Sequence, residues 1–361
     1  MSTVIFSIKL KKNAMKEMQE KLYGKFDFEK NLTFFVADIG GTNTNFGILV
    51  KKENRFYLAI SLHADSQKII SFPNVVTKVL IHLENKYKLR FESACFAVAG
   101  NVINDKVKLT NANFEVDAKD LKAQTILKNI YLINDFQAVG FGIDAIDPDK
   151  IVCVRHGRSV ANSRRLCFGA GTGLGKTLLY WQESKNDYFA IPSEGGHALF
   201  SAQLQEFKLL EFISKDKKNC TNVTWEDILS GRGISQIYKF ISSLNKKNSI
   251  DLEIEKNNYN PKDIFNFRTK SQNCSLTFEL YSRFYARCAY NFAIDFLPYS
   301  GIFIGGGIAA KNLDIFYSDA FNKEINKYCK SKFIEQIPIY VLSDYNISLY
   351  GAANALNELL E

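Results

Sequence analysis

Histidine is scarce in this chain, four in 361 residues, and no two stand at the H-x-x-x-H spacing that sets a pair on one helical face for zinc. A catalytic zinc site is not expected. Nor is there a C-x-x-C pair. The seven cysteines, an odd number, stand at 95, 153, 167, 220, 274, 288 and 329, which fits a reducing cytosol better than a disulfide framework. No run reaches the ~18 apolar residues of a membrane helix, and the first residues lack an apolar signal core with a cleavage site. A soluble, cytoplasmic protein that does not enter the membrane is expected. Long blocks of one charge are missing too. The net charge of +8 comes from lysines mixed with acids, as in 215–218 and 246–256. That is a solvated surface, which helps attract an anionic nucleotide but is not the clustered basic stripe a nucleic acid requires, so no nucleic-acid partner is expected.

What is present points to two packed lobes. Hydrophobic residues make up 46% and aromatics 13%, and the length exceeds the ~100–200 residues of one compact core. Two lobes imply a cleft. Residues 1–32 form an extension whose lysine-rich part, Lys9 to Lys25, reads as a surface helix or a frayed segment. Its interspersed acids Glu17 and Glu20 argue against a transit peptide. A small α/β lobe is expected over 33–145 plus 345–361, and a large one with helical insertions over 146–344. In the first, Thr33–Ala37, Phe46–Val50 and Phe56–Leu62 form a strand meander; Pro73–Tyr87 has helical spacing, and Ala94–Ala99 and Ile130–Ile133 read as buried strands. A second cycle opens at Ile151–Val154 and continues through Arg165–Phe168, Thr177–Trp181 and Tyr188–Ile191. Helices follow at Leu204–Ile213, Trp225–Leu229, Ile234–Leu244 and Leu276–Leu297, the last ended by Pro298. Strands at Ile302–Ile304 and Ile339–Leu342 and a helix at Ser348–Leu359 close the chain. The polar, lysine-rich stretch Asn245–Asn273 reads as an irregular surface excursion.

Both cycles place a glycine turn between two apolar strands. In Asp38-Ile39-Gly40-Gly41-Thr42-Asn43 and Gly169-Ala170-Gly171-Thr172-Gly173 the glycines let backbone N–H groups approach a phosphate, with Thr42 and Asn43 adding donors. Asp38 would repel a phosphate, so its plausible task is to hold hydrated magnesium. Asn134-Asp135 ends one strand and starts a helix, which suits a helix cap and a catalytic base with a neighbouring hydroxyl ligand equally well. Glu194-Gly195-Gly196-His197 puts an acid and an imidazole on one tight loop, able to converge on a ligand; a structural histidine is the alternative.

Two further patterns are decoys. Ala170–Thr177 (AGTGLGKT) satisfies a loose P-loop, yet β-prone Thr177–Trp181 follows Lys176 where a P-loop requires a helix, so replacing Lys176 should cost little. Gly305-Gly306-Gly307-Ile308-Ala309-Ala310 imitates a dinucleotide fingerprint but lies too near the chain's end, and serves as well against an adenine or ribose.

Taken together and in order, these segments resemble the bacterial-type glucokinase family, in the hexokinase branch of the actin-like ATPase superfamily. The likeness runs from about Thr33 to Leu356 and rests on ADIGGTN (37–43), LTN (109–111), LINDF (132–136), GAGTGLG (169–175), EGGH (194–197), EDILSG (226–231) and FIGGGI (303–308). It implies an α/β, two-lobed actin-like/ribonuclease H-like ATPase fold with duplicated mixed-sheet domains and an interlobe cleft. It also implies ATP, Mg2+ and the conversion of glucose to glucose 6-phosphate, with a homodimer by analogy. Asp135 resembles the general base, and Asn111, Asn134, Glu194, His197 and Glu226 the residues on the other sugar hydroxyls. Gly40, Gly41, Thr42, Asn43, Gly171, Thr172 and Gly173 would hold the triphosphate, and Gly305, Gly306 and Gly307 the nucleoside. A kinase of another hexose and a catalytically silent sugar sensor are the alternatives. The chain departs from the family at Gly100-Asn101 (often a proline), Ser193 (usually Gly), Leu199 (often Asp) and Arg232 (interrupting Gly-Pro-Gly), which bears on sugar preference and loop geometry. The zinc-bearing cysteine cluster of the related repressor and kinase family is absent.

Overall fold

Phenylalanine, leucine, isoleucine and valine recur through residues 32–65, and the aromatic and β-branched ones suit a pleated, buried surface. In a computed structural model, which describes residues 18–53, 55–109, 112–217 and 222–360, they form a strand meander. The strands of the first sheet are β1 (Gln19–Leu22), β2 (Leu32–Ile39), β3 (Asn43–Lys52), β4 (Arg55–Asp65) and β5 (Ser93–Val98). After a small separate hairpin of β6 (Lys106–Lys108) and β7 (Glu115–Asp117) comes β8 (Asn129–Asn134). The sheet order is β1-β4-β3-β2-β5-β8, with β2, β5 and β8 parallel and the meander antiparallel. Its core is aromatic: Phe35 stacks on Phe46, Phe46 on Phe72 and Phe72 on Phe114, with centroids 5.9, 6.1 and 5.5 Å apart.

The second sheet comprises β9 (Ile151–Arg155), β10 (Arg165–Ala170), β11 (Leu174–Gln182), β12 (Asp187–Ser193), β13 (Gly301–Gly305) and β14 (Ile339–Leu342), in the order β12-β11-β10-β13-β14-β9. Its antiparallel β10-β11-β12 followed by parallel β13 and β14 repeats the plan of β2-β3-β4 with β5 and β8. Residues 18–138 with 348–360 form one compact unit and 139–347 the other. The chain leaves the first unit within the helix Asp135–Gly142 and returns within the helix Ile347–Leu360.

Three expectations require correction. Within Lys9–Lys25, residues 19–22 are a strand, not helix, paired with β4 and tied down by Glu20, which accepts from Lys86 Nζ at 2.7 Å and from the Tyr87 hydroxyl; residues 1–17 lie outside the described residues. Strand β9 does not open the second cycle. It pairs antiparallel with β14 at the far edge, because a run of apolar residues declares a strand but not its partner. The stretch 245–273 is ordered into helices Ser249–Lys256 and Pro261–Asn266. Asn248 and Asp251 exchange capping hydrogen bonds, Asn260 caps the second helix, and Ile254, Ile264 and Phe265 are buried. Few apolar residues sufficed there because the caps satisfy the helix ends.

Candidate active site

In the first unit, strand register places the candidates along one edge. Ile39 aligns with Val98, and Val98 with Asn134. The turn Gly40–Asn43 and the pair Asn134-Asp135 therefore leave the carboxyl ends of parallel strands two spacings apart, roughly 10 Å, where α/β sheets carry ligands. The turn is closed by Gly40 N–H to Asn43 O at 2.8 Å. Ser66 Oγ donates to Gly40 O (2.7 Å) and Gln67 Nε2 to Gly41 O (2.6 Å), while Thr44 Oγ1 meets Ser66 Oγ at 2.8 Å. These bonds occupy the carbonyls of Gly40 and Gly41.

The Asn134-Asp135 ambiguity divides between the two residues. Buried Asn134 is the cap: its Oδ1 accepts from Phe136 N (2.9 Å) and Gln137 N (3.2 Å), and its Nδ2 donates to Gly100 O at 3.1 Å. Part-exposed Asp135 accepts the Phe136 N–H through Oδ1 at 2.8 Å. Thus Asn134 fixes the start of the helix and Asp135 carries the acid. Asn111 lies outside the described residues.

Asp38, at the end of β2, accepts from Ser348 Oγ at 2.6 Å, its side chain's one partner among the described residues. Burial pushes its carboxyl above the ordinary 3.8, an effect that the Ser348 hydrogen bond only partly offsets. A carboxylate so short of donors fits a hydrated magnesium, whose waters could donate to it. Among the described residues no group of three or more His, Cys, Asp or Glu stands together as a metal site. The sign of the pH effect follows. The fold binds the proton more tightly than the unfolded chain, so stability is lost as pH rises from 3.8 through the folded value. Asp38→Asn should raise the melting temperature of the ligand-free protein while lowering turnover roughly tenfold or more. Calorimetry and a coupled assay check both, and a lowered melting temperature would contradict the argument.

In the second unit the candidates gather around Leu174. The turn Gly171–Gly173 is closed by Gly171 N–H to Gly173 O at 2.8 Å, and Gly231 N–H donates to Gly171 O at 3.0 Å. Leu174 N–H donates to Glu226 Oε2 at 3.1 Å, joining a proposed sugar ligand to the proposed phosphate loop. On the other side Gly196 lies so close that a Cβ there would stand 2.0 Å from Leu174 O. Glu194 and His197 flank it, with Nε2 3.5 Å from Oε2 and both side chains well exposed, so the imidazole is not a core histidine. Gly305, paired with Gly169, brings the third glycine turn beside the second. Gly306 has φ +88°, a conformation that favours glycine, and sits against Ala170 O. Lys176 lies on β11, not on a helix, which removes the P-loop reading.

The glucokinase family model matches residues 35–359. The chain belongs to the glucokinase family. It is 31% identical over 340 residues to a glucokinase of Nostoc punctiforme, spanning 89% of this chain and 98% of that one. It is 32% identical over 351 residues to the Trichormus variabilis glucokinase, with the same coverage. The crystal structure of a glucokinase from an Antarctic psychrotroph superposes with a TM-score of 0.73 at 26% identity, covering 92% of this chain and 100% of that one. The fold is thus the two-lobed actin-like ATPase type expected of glucokinases. At the position where Arg232 interrupts the familiar glycine-proline-glycine, its Nη2 lies 3.0 Å from Asp227 Oδ1 and 3.9 Å from Glu226 Oε1. The bond from Gly231 to Gly171 is made despite the substitution. Sequence reasoning missed Ser66, Gln67 and Ser348. They are small or neutral side chains in unremarkable local sequence, and only tertiary packing brings Ser66 and Gln67 to the Gly40–Asn43 turn and Ser348 to Asp38.

Proposed function

We propose that Asp135 is the general base that takes the proton from the 6-hydroxyl of glucose as the terminal phosphoryl group of ATP is transferred to that oxygen. Membership in the glucokinase family supplies the reaction, ATP-dependent phosphorylation of glucose to glucose 6-phosphate. The observation that carries the residue assignment is the register placing the Gly40–Asn43 turn and Asp135 on one carboxyl-terminal sheet edge. In this reading Glu194, His197 and Glu226 bind the other hydroxyls, each carboxylate accepting paired donors. An epimer leaves such acceptors unmet at ~1–3 kcal/mol. Asn134, committed to its cap, acts mainly by fixing Asp135. Gly40–Asn43 and Gly171–Gly173 hold phosphates, and Gly305–Gly307 lies against the nucleoside. Magnesium, held by Asp38 through water, would neutralise phosphate charge. The remaining task is to position the acceptor and exclude water.

A panel of glucose, mannose, glucosamine and fructose with ATP, ADP or pyrophosphate as donor, followed by product release in a coupled assay, tests the assignment. Glucose with ATP should give the highest kcat/KM, by about tenfold or more over the 2-epimer. A higher value for another hexose would move the substrate assignment to that sugar.

A further inference from the structure

Lys176 is the one lysine among the buried described residues, 5% exposed. Its Nζ lies 3.8 Å from the ring centroid of Phe292 and 4.6 Å from that of Phe296, both on the helix Gln272–Phe296. Among the described residues it makes no hydrogen bond and no ion pair within 4 Å. Holding a mostly buried ammonium against aromatic faces with no carboxylate or carbonyl partner is costly. Burial pushes it below its ordinary 10.5, and Asp295 and Cys288 offset this only in part. Such a group invites an explanation beyond packing, because a leucine or methionine would fill the space without that cost.

Its neighbours supply one. Lys176 faces Ser193 across the β11-β12 ladder, one residue before the loop Glu194–His197. A Cβ on Gly195 would stand 2.6 Å from Lys176 Cδ and 3.1 Å from Nζ, so the lysine side chain lies directly against the Gly195 backbone. Gly195 N–H in turn donates to Ser193 Oγ at 3.0 Å. Stem, ammonium and serine together support the loop from beneath, while the tips of Glu194 and His197 project outward, 44% and 60% exposed.

We propose that Lys176 is a positioning residue for the sugar: it supports the Gly195 backbone and so sets where Glu194 and His197 point. This rests on the reading of those two residues as sugar ligands. It is the opposite of a P-loop lysine, which would act on the nucleotide, and it replaces the expectation from sequence that substituting Lys176 costs little.

The test compares the full-length enzyme with K176A, K176M and E194A, varying glucose and ATP separately and recording each melting temperature. K176A should raise KM for glucose about tenfold, equivalent to ~1.4 kcal/mol, with KM for ATP unchanged within about twofold. K176M, which keeps most of the stem, should raise KM for glucose about threefold and carries the test if K176A does not fold. A rise in KM for ATP with that for glucose unchanged overturns the proposal, as does no change in either. If E194A raises KM for glucose and both lysine variants leave it unchanged, the lysine inference alone falls. If E194A leaves it unchanged, the loop is not the sugar site and both readings fall.

Discussion

An Asp135→Asn enzyme should lose ~10²- to 10⁴-fold in kcat, the range a positioned general base contributes, while still binding glucose at reduced strength. Asparagine keeps an oxygen where Asp135 Oδ1 now accepts the Phe136 N–H at 2.8 Å. The capping bonds of Asn134 are untouched by the change. The helix Asp135–Gly142 should therefore start where it does now, and the loss should fall on the chemical step. Phosphoryl transfer proceeds through a loose transition state that asks mainly for positioning and charge neutralisation, so residual turnover is expected. Steady-state kinetics alongside calorimetric glucose binding separates the two effects. Undiminished kcat would remove Asp135 from the mechanism. Loss of glucose binding with kcat retained at saturation would make it a sugar ligand only.

The largest effect on stability is expected at an ion-pair cluster the proposed mechanism does not use. Arg287, on the helix Gln272–Phe296, is 2% exposed and donates to both oxygens of Glu206, Nη1 to Oε2 at 2.5 Å and Nη2 to Oε1 at 2.7 Å. Its Nε reaches Glu324 Oε1 at 2.9 Å, and Nη1 also donates to Ser201 O at 3.0 Å. Glu206 and Glu324 are themselves 4% and 3% exposed. Burial alone would push the Glu324 carboxyl up, but hydrogen bonds from Lys327, Tyr328 and Arg287 outweigh it and hold the group below its usual range. Arg287→Met fills similar volume but takes the guanidinium from between two buried carboxylates, leaving Glu324 with Lys327, Tyr328 and Arg283 and Glu206 with the Gln203 N–H and a distant Arg283, which should cost about 3 kcal/mol of unfolding free energy. Chemical denaturation measures it, and a loss under about 1 kcal/mol would show that water or neighbouring cations already compensate the acids. The depressed pKa of Glu324 adds a pH signature. Its stabilising contribution is full above the unfolded value and is lost as pH falls through the folded one, so wild type and variant should converge in acid.

Local chemistry made much of this protein legible. The apolar runs that became β2, β3, β4, β5 and β8 declared themselves by composition. Pro298 marked the end of the helix that stops at Phe296, and the helix Phe72–Tyr87 followed its own periodicity. The three glycine turns could be read as turns because glycine's backbone freedom is a property of the residue itself. The β-prone residues Thr177–Trp181 after Lys176 do form a strand, which the structure starts earlier, at Leu174, so that it includes the lysine. Where polarity was taken to mean irregularity, between 245 and 273, the signal existed in Asn248, Asp251 and Asn260. It was missed because caps are sparse and lysines many.

The amino-acid order by itself fixed which segments would be strand, turn or helix and which side chains had chemistry to offer, since those depend on neighbours a few positions away. Only the tertiary structure decided that Ser348 would donate to Asp38 across 310 positions, that β9 would join β14, and that the Asn134 side chain would reach Gly100 O. It alone laid Lys176 beneath Gly195. Each of those outcomes depends on packing between distant residues, and the period-2 alternation of a strand specifies its faces without naming its partner.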